Sequence, residues 1–301
     1  MGKINAWISA TRLRTLPLSI SGIIIGSALA YKDEFFDWEI ALLALLTTLG
    51  FQIFSNFAND YGDGLKGTDN DERIGPARAM QSGLLQATEL KRGIIICIIL
   101  TLVMAIALTY VSLGRENFLI SLLFFGLGLA SILAAVKYTV GEKAYGYRGL
   151  GDVFVFLFFG LLAVMGSFYL YAQDLGFIVL FPAVTIGLWS TAVLNLNNMR
   201  DRIPDGRAGK NTLAVLLGAL ASKYYHYALI VGGYLALVVY LFLTESWLWT
   251  GISSLIIIPF SVHLYTVHKT TEPALLDPEL KKVALSTFLF SVLFALGIVL
   301  G

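Results

Sequence analysis

Apolar runs of about twenty residues, separated by shorter polar stretches, dominate the chain from Thr15 onward. Nine such runs fall near residues 15–31, 38–58, 91–113, 117–136, 152–172, 177–197, 222–244, 247–266 and 279–300. Each is long enough to cross the hydrocarbon core as a helix, so the pattern predicts an all-α membrane protein with nine spans. Pro17 opens the first run, where the missing N–H is least costly. The stretch from Met1 to Thr15 has no continuous apolar core of the kind a cleavable leader needs, and the first span is expected to remain in the mature protein.

Composition agrees with the pattern. Of the 301 residues 57% are hydrophobic and only 14% charged, against about 25% charged in a water-soluble domain, and the mean hydropathy is +0.77. A net charge of +1 gives no dense basic face, so no nucleic-acid partner is expected. Cys97 is the single cysteine and lies in an apolar run, which excludes an intrachain disulfide and points to helix packing.

The position of the charges says more than their sum. Lys3, Arg12 and Arg14 precede span one. Lys66, Arg73, Arg78, Lys91 and Arg92 follow span two, and Lys137, Lys143 and Arg148 follow span four. Arg200, Arg202, Arg207, Lys210 and Lys223 follow span six; Lys269, Lys281 and Lys282 follow span eight. Only Lys32 and Arg115 fall on the other side. The positive-inside rule then predicts a multi-pass protein of the cytoplasmic (inner) membrane, with a cytoplasmic N-terminus and polar loops and the C-terminus outside.

Two of those polar loops carry acidic segments. Span two ends in Asn56, Asn59, Asp60 and Asp63, followed by Lys66, Asp69 and Asp71; span six ends in Asn198, Asp201 and Asp205, followed by Lys210. Continued as helix, Asn56, Asp60 and Asp63 share one face, as do Asn198, Asp201 and Asp205. The segments form a weak internal repeat, and the four intervening spans bring them out on one side of the membrane. Acids in a polar loop are often merely solvated. At the end of an apolar span they are costly unless they face a cavity or a partner. Oxygen ligands of this type suit Mg²⁺ held jointly with substrate phosphate. A cation transporter also uses inward-facing carboxylates, but the neighbouring Lys66, Arg78, Arg200 and Lys210 oppose a passing cation and complement phosphate.

The chain resembles the UbiA superfamily of intramembrane prenyltransferases: Asn59, Asp60 and Asp63 match its first acidic motif, and Asp201 and Asp205 its second. Narrower features are similar to the 1,4-dihydroxy-2-naphthoate polyprenyltransferases of menaquinone biosynthesis. These are Arg12-Leu13-Arg14-Thr15-Leu16-Pro17, the stretch from Asn59 to Gly83 with Arg73-Ile74-Gly75-Pro76-Ala77-Arg78, Tyr145 to Asp152, Asn198 to Asp201 and Ala208 to Val215. Leu13 departs from the Pro found in many relatives. The resemblance implies one domain over 1–301, with nine helices enclosing a central cavity, Mg²⁺ as cofactor, and polyprenyl diphosphate, 1,4-dihydroxy-2-naphthoate and the lipid bilayer as partners. 4-Hydroxybenzoate and homogentisate are the alternative acceptors.

On this reading Asp60, Asp63, Asp201 and Asp205 are the catalytic metal ligands, with Asn56 beside them. Asn59, Lys66, Asp69, Arg78, Asn198 and Lys210 contact the diphosphate, and Arg14, Tyr138, Tyr145 and Arg148 the acceptor. Tyr147 is read as an interfacial anchor. His226, His263 and His268 make no metal spacing with the acidic clusters and are assigned to packing, while Trp7, Trp38, Trp247 and Trp249 sit where aromatic belts do.

Overall fold

The computed structural model describes residues 2–69, 74–76, 78–114 and 117–301; Asp71, Arg73, Ala77 and Arg115 of the sequence reading lie outside them. Among the described residues there is no strand, and nine helices are long and apolar enough to span a membrane. They run Lys3–Lys32, Trp38–Leu65, Ala87–Leu113, Phe118–Thr139, Gly151–Ala172, Phe177–Arg200, Leu213–Thr244, Thr250–Lys269 and Pro273–Leu300, here spans one to nine. The protein is an integral, multi-pass membrane protein.

Every expected run has its helix, and the differences lie mainly at the ends; span seven begins at Leu213, ahead of the expected 222, with Gly218 left-handed at φ 80° inside it. Span two continues to Leu65, beyond the hydrophobic stretch, because Asp60 and Asp63 are buried against neighbours and the backbone ladder has no reason to stop. Span one is divided. A short helix, Lys3–Ala10, precedes the main helix Leu16–Lys32, and Arg12 between them is left-handed at φ 53°. Pro17 sits in the first turn of the main helix, as its chemistry favours.

Burial is greatest along spans one and six and least along spans three and four, which present Ile96, Val103, Leu119 and Leu123 outward. The core of the second half is organised by Trp189 of span six. Its fully buried ring meets Phe260 of span eight and Phe290 of span nine edge-on, at 4.7 and 4.9 Å, and its Nε1 donates to the Ile230 carbonyl of span seven at 3.0 Å. Between spans five and six, Gly160 lies against Gly187 so closely that a Cβ on Gly160 would be 2.6 Å from the Gly187 Cα. Small residues of this kind let backbones approach where lipid supplies no hydrophobic drive for association. Gly160 lies in a π-helical stretch, Phe156–Gly166, whose wider turn re-aims the aromatic and leucine side chains of span five.

A second, smaller core sits under the N-terminal helix, where Ala6 and Ala10 pack with Phe57, Leu90 and Ile94. Trp7 belongs to it, edge-on to Phe57 at 5.1 Å, and so is a packing residue, whereas Trp38, Trp247 and Trp249 are exposed near span ends.

The histidines lock the last three spans. His226 of span seven and His263 of span eight bring their Nε2 atoms to 2.7 Å, and His263 Nδ1 donates to Glu279 of span nine at 2.6 Å. Glu279 also accepts from Lys282 at 2.5 Å. All but Lys282 are buried, while His268 is exposed at the end of span eight. Removing the middle of this chain with His263→Leu is expected to cost about 1–2 kcal/mol, the upper range for polar contacts between membrane helices. Thermal unfolding in detergent should show a lowered midpoint, and an unchanged one would mean the chain contributes no stability.

Candidate active site

Helix packing brings the first acidic segment to its place. Gly62 lies so close to Thr139, at the end of span four, that a Cβ there would be 2.4 Å from the threonine hydroxyl oxygen. Thr139 donates to the Ala58 carbonyl at 3.1 Å and reaches the side-chain oxygen of Asn59 at 3.5 Å. The end of span two is thereby pinned against span four and the loop after it, which carries Tyr145 and Tyr147.

Asp63 is where the two halves of the chain meet. One carboxylate oxygen accepts from the Tyr147 hydroxyl at 2.8 Å, the other from Lys210 Nζ at 3.1 Å. Lys210 follows span six: a left-handed Gly209 turns the chain back so that the Lys210 amide bonds the Asp205 carbonyl at 2.8 Å. Burial works against the Lys210 charge, but Asp63 and then Asp205 more than offset it and hold its pKa above the ordinary lysine value. Tyr147 is also shifted upward, by burial and by the Asp63 charge, and remains a neutral donor. Its hydroxyl lies 2.6 Å from Thr68 Oγ1, and Lys66 Nζ sits 3.8 Å above its ring. Tyr147, expected as an interfacial anchor, thus has its hydroxyl committed to Asp63 and Thr68. Partial burial lowers the Lys66 pKa.

Asp60 is nine-tenths enclosed and more, at 1% exposure. Arg12 donates to it at 2.5 Å, and Arg78 Nε stands 3.5 Å away. The left-handed break at Arg12 makes that contact. It is held by Asn56, whose side-chain amide donates to the Thr11 carbonyl at 2.9 Å and accepts from Gln52 at 3.3 Å. Asp201 faces Arg200, which is fully buried and grips both carboxylate oxygens, at 3.0 and 2.6 Å. The same guanidinium bonds Asn197 at 2.8 Å and Asp277 at the start of span nine. Asp277 is also 3.7 Å from Arg14.

Arg12, Asn56, Asp63, Asn197, Asp201 and Lys210 open onto one cavity of about 400 Å³ that extends among spans one to six and span nine. Of the residues expected from sequence, Asn56, Asn59, Asp63, Asp69, Arg78, Asn198, Asp201, Asp205 and Lys210 line it, as do Arg14, Tyr138 and Tyr145. Asp60 lines an adjoining pocket shared with Arg12 and Arg78. Lys66 and Arg148 lie outside both walls, and Arg148 is exposed. Tyr138 meets Tyr145 edge-on at 5.3 Å and Tyr145 stacks on Phe154 at 4.0 Å, an aromatic wall just inside the polar mouth.

Sequence reasoning assigned no site role to Arg12, Thr68 or Asp277, and read Arg200 as a base that complements phosphate, whereas its guanidinium is taken up by Asp201 and Asp277. Arg12 and Arg200 lie within the quoted motif stretches, next to residues that were chosen. Asp277 carries no local signal, since an acid beside a proline at a helix start reads as ordinary termination chemistry.

Among the described residues no group of three or more His, Cys, Asp or Glu side chains converges tightly enough to cage a metal ion. The donor set is nonetheless all hard oxygen, spread over two facing segments and interleaved with cations. That fits Mg²⁺ bound through one or two carboxylates at a time and completed by substrate phosphate oxygens, rather than an all-protein cage.

Residues 19–278 match the UbiA prenyltransferase family. The chain is 42% identical to the 1,4-dihydroxy-2-naphthoate octaprenyltransferase of Escherichia coli, over 100% of this chain and 97% of that protein. It is 40% identical to the enzyme of the same name from Haemophilus influenzae, over 99% and 97% respectively. Its fold is shared with a UbiA homolog from Archaeoglobus fulgidus bound to GPP and Mg²⁺, at a TM-score of 0.66 and 16% identity, covering 96% of this chain and 98% of the other. By its matched length, its near full-length relatives and its helical architecture, the chain belongs to the UbiA prenyltransferase family.

Proposed function

We propose that this protein transfers a polyprenyl group from polyprenyl diphosphate to 1,4-dihydroxy-2-naphthoate, releasing diphosphate and carbon dioxide and giving demethylmenaquinone at the quinol level. The observation that carries the reading is the Lys210–Asp63 contact, which joins the two acidic segments over a cavity that is apolar below its mouth. The near full-length relatives named for this activity supply the acceptor. The charge asymmetry of the loops supports a cytoplasmic position for the mouth.

Asp60, Asp63, Asp201 and Asp205 would hold Mg²⁺, with Asn56 and Asn198 completing the polar wall. Bound there, the ion supplies Lewis-acid neutralisation of the departing diphosphate. The residues of the chain do the rest. Arg12, Arg78 and Lys210 already stand on carboxylates and are placed to donate charge-assisted hydrogen bonds to phosphate oxygens as the allylic C–O bond breaks. Lys210 stands 3.1 Å from Asp63, and Asp63 and Asp205 favour its charged form. Arg200 fixes Asp201 through both oxygens and prevents it from rotating away from the cavity. The aromatic wall of Tyr138, Tyr145 and Phe154 excludes water and offers π-faces to the allylic cation. The electron-rich ring then forms the new C–C bond, and loss of its carboxyl as carbon dioxide returns the electron pair to the ring. Deeper in the cavity Phe158, Leu162 and Leu108 provide an apolar bed for the polyprenyl tail, which reaches the site without leaving the bilayer.

The defining experiment supplies purified protein with a polyprenyl diphosphate and one aromatic acid at a time. Dihydroxynaphthoate should yield a prenylated, decarboxylated product only when Mg²⁺ is present; product from 4-hydroxybenzoate or homogentisate alone would overturn the acceptor assignment. Asp60→Asn and Asp201→Asn should each lower kcat at least about a hundredfold, the scale of removing a group that stabilises transition-state charge, with membrane insertion intact. Full activity in both would remove the site. Tyr147→Phe keeps the ring under Lys66 and deletes the hydrogen bond to Asp63, so a milder loss of about fivefold is expected in kcat.

A further inference from the structure

Span nine contributes to the cavity wall through Leu280, Lys281 and Ala284. The basic residues of that wall differ in one respect. Arg12 and Arg78 stand on Asp60, Lys210 on Asp63, and Arg14 beside Asp277. Lys281 has no carboxylate within ion-pair distance among the described residues, and its side chain is exposed to the cavity mouth. The next residue, Lys282, shows what an ordinary basic residue does here: it turns away from the cavity and closes the buried chain through Glu279. Two adjacent lysines thus have different tasks, and only one is used in packing.

We propose that Lys281 is the docking group for the carboxylate of the aromatic acceptor. The proposal rests on the prenyl-transfer reading and deepens it. A carboxylate entering an apolar cavity loses its hydration and needs a counter-charge that is not already neutralised. The paired bases offer little net charge to a second anion, since each faces an aspartate and the diphosphate competes for them. Lys281 brings a full charge on a flexible four-carbon stem, able to follow the acceptor from the mouth to the aromatic wall. Its place on span nine, one helical turn past Asp277, also sets it apart from Lys210 and Arg78, which come from the loops after spans six and two. The diphosphate and the acceptor are therefore met by cations from different elements.

This contact is made with the ground state and lost as the carboxyl departs in neutral carbon dioxide. Such an interaction lowers KM for the acceptor without raising kcat. It selects aromatic acids over neutral hydroquinones of the same ring.

The test uses the full-length protein with saturating polyprenyl diphosphate and Mg²⁺, with dihydroxynaphthoate or the carboxyl-free 1,4-naphthalenediol as acceptor. Lys281→Met should raise KM for dihydroxynaphthoate about tenfold or more, as expected for losing a charged hydrogen bond, while KM for polyprenyl diphosphate and kcat stay within about twofold. Lys281→Arg should retain most of the acceptor affinity, and the diol should be used equally by wild type and Lys281→Met. An unchanged KM for dihydroxynaphthoate in Lys281→Met, or an equal loss with acid and diol, overturns the inference while leaving the prenyl-transfer reading in place. A wild-type protein that prenylates no aromatic acid overturns that reading and this inference with it.

Discussion

A carboxylate placed near hydrocarbon needs a counter-charge, and much of this site follows from that requirement. Asp60, Asp63 and Asp201 are all buried at the end of the helical bundle, and each stands against a base. The bases come from distant parts of the chain: Arg12 from the break within span one, Lys210 from after span six, Arg200 from the last turn of span six. Satisfying three carboxylates therefore draws spans one, two and six together, and through Asp277 span nine as well. The same pairs leave the mouth of the cavity with both signs of charge in close alternation, which is what a metal-diphosphate needs. On the proposed function, stability and catalysis share one set of contacts, because the pairing that makes buried aspartates tolerable would also store the cations used on a leaving diphosphate.

Departures from regular helix concentrate where they serve this arrangement. The left-handed residue at Arg12 interrupts what would otherwise be one long helix, and only through that break does its guanidinium reach Asp60. Asn56 holds the break by bonding the Thr11 carbonyl, so one of the polar residues at the end of span two works on the backbone of span one. In span five the π-helical stretch widens the turn beside the cavity while Gly160 keeps the backbone tight against span six. Backbone irregularity at membrane depth is tolerated where it is buried in protein or lines a cavity, and these segments meet that condition. Away from the site the spans are held by more ordinary means, the Trp189 cluster and the buried His226–His263–Glu279 chain.

The spans and the shared side of the two acidic segments were legible in the order of residues. Hydrophobic length and the placement of Lys and Arg are properties of the chain itself, and the bilayer acts on them directly. The acidic segments stood out for a related reason, since Asn and Asp at the end of an apolar run violate the local pattern. What the order of residues did not reveal is which partner each group takes. Tyr147 looked like any interfacial tyrosine, yet its hydroxyl bonds Asp63. Arg148, one residue later and equally suggestive, points outside the cavity. Asp277 had no motif around it and became the link between Arg200 and span nine.

Sequence by itself thus determined the nine apolar runs that become helices long enough to span a membrane among the described residues, and the two acidic segments that close them on one side, because those depend on runs and periodicities within one stretch. Tertiary structure alone decided the pairing of Lys210 with Asp63, of Arg12 with Asp60, and the turn of Lys281 toward the cavity while Lys282 turns to Glu279. The first two depend on contacts between residues 147 and 48 positions apart; Lys282 and Glu279 are only three apart, and there it is the packing of span nine that decides which lysine faces the cavity. No local rule encodes them, since a charge near the membrane accepts any counter-charge that packing brings within reach.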